Sequence, residues 1–325
     1  MANVTLIDAL NMAMAWEMAH DDSVIVLGED VGVNGGVFRA TAGLQERFGK
    51  ERVLDTPLAE ALIAGVSIGM AAQGLKPVAE IQFSGFIYPT VDQMINHAGR
   101  LRSRTRGRLN VPMVLRAPSG GGIHAPEHHS ESNEAMFAHM PGIRVVIPSS
   151  PARAYGLLLA SIRSPDPVVF LEPTRMYRMN KQAVEDDGEA LPLDTCFILK
   201  EGTDVTLVSW GAMIFETLQA AKKLEEDGVS CEVIDLATIS PIDEETILES
   251  VEKTGRLVIV HEAPLSCGVG AEVAAIVADK GLFYLHAPIQ RVTGYDAIMP
   301  LFKLEHDYMP SVNRILGAIR KTLED

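Results

Sequence analysis

The sequence is poor in cysteine and in positive charge. Its three cysteines, Cys196, Cys231 and Cys267, are far apart and odd in number, which gives neither a disulfide framework nor a metal-knuckle spacing. A reducing, cytoplasmic location is the expectation. Lys and Arg number 28 against 43 Asp and Glu, a net charge of −15, and the only basic cluster runs from Arg100 to Arg108. Nucleic acid needs a basic face, so it is not an expected partner. No uncharged apolar run reaches the length of a membrane span, and the N-terminal Met-Ala-Asn-Val-Thr-Leu lacks the basic segment and apolar core of a signal or transit peptide. Short-period repeats and low-complexity segments are missing too.

What remains is a globular chain of 325 residues, 47% hydrophobic and 22% charged, long enough for two domains that each bury a core. The apolar excess suits a large interface with another chain. Both halves show an α/β rhythm, with short apolar runs alternating with amphipathic stretches. The first half has strand-like runs at Val24–Leu27, Val53–Leu54, Lys76–Ile81, Val111–Arg116, Met140–Pro148 and Pro167–Leu171. Helical periodicity runs through Leu6, Leu10, Met14 and Met18, and an apolar helix is expected over 151–162. Between Lys181 and Pro192 the chain turns acidic and loses its period, which sets the predicted division: residues 1–185 and residues 195–325. The second half reads as strands at 204–209, 229–235 and 256–260 and helices at 213–227, 243–253 and 268–279. Its polar residues Asp235, His261 and Glu262 are expected to be structural.

The first half is organised around Asp55-Thr-Pro-Leu-Ala-Glu60 and the charge-free run Ala61–Gly74 behind it. Thr56 as N-cap and Pro57 at the first helical position would start a buried helix with Glu60 in its first turn, one residue past the capping-box position. Glu60 is then either a solvated first-turn acid favouring the helix dipole or a carboxylate held in a dry site. Glu29 follows the Val24 strand in the turn Gly28-Glu-Asp-Val-Gly-Val-Asn-Gly-Gly36, and Gln82 ends the Lys76 strand. The turn has no Lys-Ser/Thr after it, and its acids repel a phosphate, so it is read as a flexible turn presenting Glu29 at the C-terminal edge of a parallel sheet.

A second stretch, Ala117-Pro-Ser-Gly-Gly-Gly-Ile-His124, opens a loop carrying His124, His128 and His129. A glycine-rich loop of this kind is either disordered at rest or built to move over a site. A metal site would need His124 and His128 on one helical face, against which Pro126 argues. Such a site would make the protein a metal-dependent hydrolase. An acid/base role for one imidazole and plain solvation of all three are the other readings.

Several ordered segments resemble a known family. Gly28-Glu-Asp-Val-Gly32, Arg52-Val-Leu-Asp-Thr-Pro-Leu-Ala-Glu60, Glu80-Ile-Gln-Phe83, Asp92-Gln-Met-Ile-Asn96, His129-Ser-Glu-Ser132 and Ala138-His-Met-Pro-Gly142 look like the β subunit of the thiamine-diphosphate-dependent 2-oxo acid dehydrogenases. Gly202-Thr-Asp-Val-Thr206, Val233-Ile-Asp-Leu236 and Arg291-Val-Thr-Gly-Tyr-Asp296 are similar to its C-terminal domain. The resemblance implies two doubly wound α/β domains, a pyrimidine-binding one and a transketolase-like C-terminal one. It implies oxidative decarboxylation of pyruvate, or of a branched-chain 2-oxo acid, with reductive acylation of a lipoyl group; an acetoin dehydrogenase subunit and a catalytically silent subunit are the alternatives.

The cofactor's thiazolium carbon loses its proton to its own aminopyrimidine, a shift that needs a carboxylic acid on the pyrimidine ring nitrogen. Glu60 matches the family's glutamate there, Phe86 the aromatic stacked on that ring, and Gln82 and Glu29 residues lining the pocket. His129 matches the active-site histidine of the mobile loop, although adjacent His128 and Glu131, which stands where the family has Gln, are departures. Backbone carbonyls around Ser161, Ile162, Ser164 and Asp166 correspond to a K⁺ site of relatives. The Gly-Asp-Gly and Asn-Asn segments that hold Mg²⁺ and the diphosphate are missing. The resemblance therefore implies a site shared with a separate α subunit in an α₂β₂ assembly that works with a lipoyl acyltransferase.

Overall fold

The computed structural model describes residues 2–324, and the chain divides into two compact units. The first unit comprises the chain up to Ser119 together with Met136–Leu193; the second comprises Gly120–Ala135 and the chain from Asp194 onward.

In the first unit, parallel strands run in the spatial order Val53–Asp55, Val24–Gly28, Lys76–Glu80, Val114–Ser119, Val168–Pro173 and Arg144–Val146. The inner strands Val24–Gly28, Val114–Ser119 and Val168–Pro173 are buried at every position, as continuous apolar runs must be when helices cover both faces. Helix Leu6–His20 starts at a capping box in which Thr5 and Asp8 exchange hydrogen bonds, and its Leu6, Leu10, Met14 and Met18 are buried. It packs on helix Pro151–Arg163, where Ser150 caps the first turn and Pro151 stands at its start. Ala2–Val4 pairs antiparallel with Gln182–Val184, a short ribbon within the acidic stretch that sequence periodicity leaves unassigned.

Three expectations are corrected here. The Thr56 N–H donates to the Gly28 carbonyl at 2.9 Å, extending the strand pairing, so Thr56 is no cap and the helix begins at Glu60 and runs to Ala72. That helix is also not buried all round: Ile63, Ala64, Ser67, Ile68 and Ala71 face the core, while Leu62 and Val66 are 46% and 40% exposed. The strand expected to end at Arg116 continues through Pro118 to Ser119. Pro is tolerated there because the pairing with Lys76–Glu80 stops at Arg116, leaving one side of the strand without a ladder.

In the second unit the strand order is Gln290–Gly294, Leu257–Pro264, Val205–Ser209, Cys231–Asp235 and Phe197–Lys200, parallel except for the last. Helices Met213–Glu226, Glu244–Thr254, Val269–Lys280 and Val312–Glu324 flank it. Its core joins Val205, Leu207, Val233 and Val258 to Ile315 and Ile319 of the last helix.

Candidate active site

In the first unit, three chain segments meet at the C-terminal edge of the sheet, where open α/β sheets place their ligands. Strand Val24–Gly28 delivers Glu29, strand Lys76–Glu80 delivers Gln82, and the chain after Val53–Asp55 delivers Thr56 and then Glu60. The turn bearing Glu29 is pinned rather than slack. The Gly32 N–H donates to Asp55 Oδ1 at 2.7 Å, Thr41 Oγ1 to the Val31 carbonyl at 2.8 Å, and the Gly36 N–H to the Asp30 carbonyl at 2.8 Å. Gln82 Nε2 reaches the Glu29 carbonyl at 3.5 Å.

The charge of Glu60 acts on Glu29. Burial is the first cause that raises the Glu29 carboxyl above its ordinary pKa, and the charges of Asp30 and Glu60 add to it. Phe86 lies on the same wall, half-buried, with its ring edge-on to Phe83 at 5.7 Å, and Phe83 in turn meets Phe38 at 5.4 Å. Thr56 Oγ1 is buried at this edge and has no hydrogen-bond partner among the described residues. Paired acids, one held toward its protonated form, with an aromatic ring and an unused hydroxyl, suit a flat heterocycle with ring nitrogens.

Below this edge lies a network that sequence reasoning missed. Arg116, 1% exposed, donates from Nε to Glu172 Oε1 at 2.7 Å, from Nη2 to Glu172 Oε2 at 3.0 Å, and from Nη1 to Glu80 Oε2. Tyr177 Oη donates to Glu172 Oε2 at 2.6 Å. Burial pushes the Glu80 carboxyl up even though Arg116 pulls it down, while the two carboxylates outweigh burial at Arg116 and keep it charged. Gly36 packs on this network at φ +76°, and a Cβ there would stand 2.6 Å from Glu80 Oε1. The signal was available: each of three neighbouring apolar strands carries one ionic residue close to its C-terminal end.

His129 belongs to the second unit, in the helical turn Glu127–His129, where its N–H donates to the Pro126 carbonyl at 2.9 Å. His128 and His129 have ring centroids 6.5 Å apart, and His128 Nδ1 is 3.9 Å from Glu131 Oε1. His124 Nδ1 instead lies 3.2 Å from Glu305 Oε2. Among the described residues no group of three or more His, Cys, Asp or Glu side chains is arranged to hold a metal ion.

Ser161, Ile162, Ser164 and Asp166 form the end of helix Pro151–Arg163 and the turn after it. The Ser164 N–H donates to the Ser161 carbonyl at 3.2 Å and Ser164 Oγ to the Asp166 carbonyl at 3.0 Å, leaving each carbonyl a second lone pair. The Asp166 carboxylate is taken up by Arg102, 2.8 Å away.

Comparison with known proteins gives the family. The family described as "Transketolase, pyrimidine binding domain" matches residues 2–180 and that described as "Transketolase, C-terminal domain" matches residues 194–315. The chain is 52% identical over 321 residues to the pyruvate dehydrogenase E1 component subunit beta of Acholeplasma laidlawii, covering 99% of this chain and 98% of that one. It is 47% identical over 324 residues to the protein of the same name from Bacillus subtilis (strain 168), covering all of both chains. Among solved structures, an inactive β4 tetramer of a split-gene transketolase superposes with a TM-score of 0.82 at 23% identity, covering 99% of each chain, a likeness of fold. The chain belongs to the transketolase-like family of β subunits of the thiamine-diphosphate-dependent 2-oxo acid dehydrogenases.

Proposed function

We propose that this chain is the β subunit of a pyruvate dehydrogenase, which with an α subunit decarboxylates pyruvate oxidatively and passes the acyl group to a lipoyl domain of an acyltransferase. The observation that carries the reading is the convergence of Glu60, Glu29, Gln82 and Phe86 on one sheet edge, together with full-length identity of 46–52% to chains named for that activity.

When bound, thiamine diphosphate supplies a carbon nucleophile able to attack the 2-oxo group. The protein's part is to hold it and set its protons. Glu60 would hydrogen-bond the pyrimidine ring nitrogen through its carboxyl, Phe86 would stack on the ring, and Gln82 and Glu29 would line the same pocket. Glu29, whose carboxyl is raised by burial first and then by the charges of Asp30 and Glu60, brings a second acid to that pocket. His129 offers an imidazole to the substrate or to the acyl group in transfer.

An α subunit would supply the residues for Mg²⁺ and the diphosphate that this chain lacks. The surface it leaves open beside Glu60 is apolar: Leu58 is 66% exposed, with Leu62 and Val66 next along the helix. In the second unit Phe283, Ile298 and Leu301 are exposed, which suits contact between β subunits or docking on the acyltransferase core. The Ser161–Asp166 carbonyls are the candidate ligands of a K⁺ ion. Three free cysteines fit a reducing cytoplasm.

Dye-linked decarboxylation tests the reading. With this chain and its α subunit co-expressed, and Mg²⁺ and thiamine diphosphate supplied, turnover of pyruvate over 3-methyl-2-oxobutanoate is expected, and neither chain alone should turn over. A well-formed heterotetramer inert toward both acids would contradict it.

A further inference from the structure

A glycine run ordinarily marks the slack part of a fold, but here it is fastened. Within the second unit, residues 120–131 close on themselves where the Gly120 N–H donates to the Glu131 carbonyl at 2.9 Å. The first limb then lies on two buried carboxylates from far along the chain. Glu305, 1% exposed, accepts the Gly122 N–H at 2.6 Å and the Ile123 N–H at 3.2 Å on Oε1, and the His124 N–H at 3.2 Å on Oε2. Glu262 Oε1 accepts the Gly121 N–H and, at 3.5 Å, the Ser132 hydroxyl. Successive amides converging on one anion form a nest, the backbone shape that elsewhere holds phosphate. Its anion here is the chain's own side chain.

The glycines permit this approach. Gly120 and Gly122 have φ of +83° and +81°, and a Cβ on Gly120 would stand 2.9 Å from Glu262 Oε1. His124 takes φ +57° without being glycine, a conformation that must be held in place by its surroundings, and its Nδ1 is 3.2 Å from the same Glu305 carboxylate. The second limb of the loop, turning through the Pro126 and Glu127 carbonyls, carries His129.

We propose that Glu305, with Glu262 beside it, is a positioning residue for His129: by fastening the amides of residues 121–124, it fixes the loop whose other limb presents the imidazole. The proposal rests on the role given to His129 above. Hydrogen bonds to an ionised acceptor are stronger than neutral ones, so a single carboxylate taking three amides holds the limb firmly.

Glu305→Gln keeps the volume but turns one acceptor oxygen into an NH₂ group aimed at backbone donors. In the enzyme assembled with its α subunit, hydrogen exchange at Gly122–His124 should rise about tenfold or more. Acylation of a lipoyl domain should slow by about 10- to 100-fold, with Glu305→Asp restoring part of the loss. The deciding measurement combines the variant with His129→Ala. If Glu305 acts through His129, the double variant is no slower than His129→Ala alone; losses that multiply, or exchange that does not change, overturn the proposal. A His129→Ala enzyme that acylates normally overturns the role of His129 and the proposal with it, whereas a slow His129→Ala enzyme with multiplying losses leaves that role standing. If Glu305→Gln does not assemble, Glu262→Gln, which weakens the acceptor of the Gly121 N–H and the Ser132 hydroxyl, is measured in the same cycle with the same expectations.

Discussion

Glu134 gives the second unit a stability that depends on pH, and the sign and size follow from its surroundings. The side chain is 2% exposed, and its carboxyl is pushed up from 4.5 to about 7. Burial is the main cause; its own backbone amide and Trp210 Nε1, 3.4 Å from Oε1, pull it down, and the charge of Glu262 pushes it further up. The folded chain therefore keeps this proton up to about pH 7, while the unfolded chain releases it near the ordinary value. Stability conferred below pH 4.5 is lost as pH rises through that window, by about 3 kcal/mol if burial alone separates the two states. Glu134→Gln keeps the shape and hydrogen-bonding oxygen but never ionises. Urea unfolding of both proteins at pH 5 and pH 7.5 should show the variant gaining about 2 to 3 kcal/mol on the parent between the two. A difference that stays constant over this range would refute the claim that a buried, neutral Glu134 is what the fold prefers.

Arg116→Met leaves two buried carboxylates without their cation, and the lost pairing should cost about 3 to 5 kcal/mol, read as a lower urea midpoint. Gly36→Ala forces an L side chain into φ +76° and drives its Cβ toward Oε1 of Glu80, a carboxylate whose Oε2 accepts from Arg116. A loss of about 1 to 3 kcal/mol is expected in the same assay, and the thiamine diphosphate concentration needed for half-maximal decarboxylation should rise, because this turn carries Glu29.

Much of the fold was legible because parallel strands buried on both faces must be continuous apolar runs, and those runs were easy to find. Val24–Leu27 and the three strands of the second half fall within a few residues of their observed ends. The errors arose where tertiary bonds override local preference. Thr56 and Pro57 read as a helix start, yet the pull of the Gly28 carbonyl keeps Thr56 extended and delays the helix to Glu60. The edge strand Phe197–Lys200 was missed because an edge strand is only half-buried and its pattern is weak.

The site was legible unevenly for the same reason. Glu60, Glu29, Gln82 and Phe86 sit in motifs that mark them, and the fold gathers them on one edge. Arg116 and its two acids stood out only as charges in apolar strands. No sequence separation of 181 residues hints that Glu305 takes the amide of His124. The glycine run reads as either disordered at rest or built to move over a site, and the carboxylates that fasten it come from a distant part of the chain.

The proposed role of Glu60, the carboxyl that would activate thiamine diphosphate, stands or falls with the Glu60→Gln variant. In the enzyme assembled with its α subunit, Gln keeps the volume and the hydrogen-bonding oxygen but holds no exchangeable carboxyl proton. Pyruvate decarboxylation is expected to fall by about 10² to 10⁴ while the heterotetramer forms as before. A Glu60→Gln enzyme that turns over at the parent's rate would contradict it.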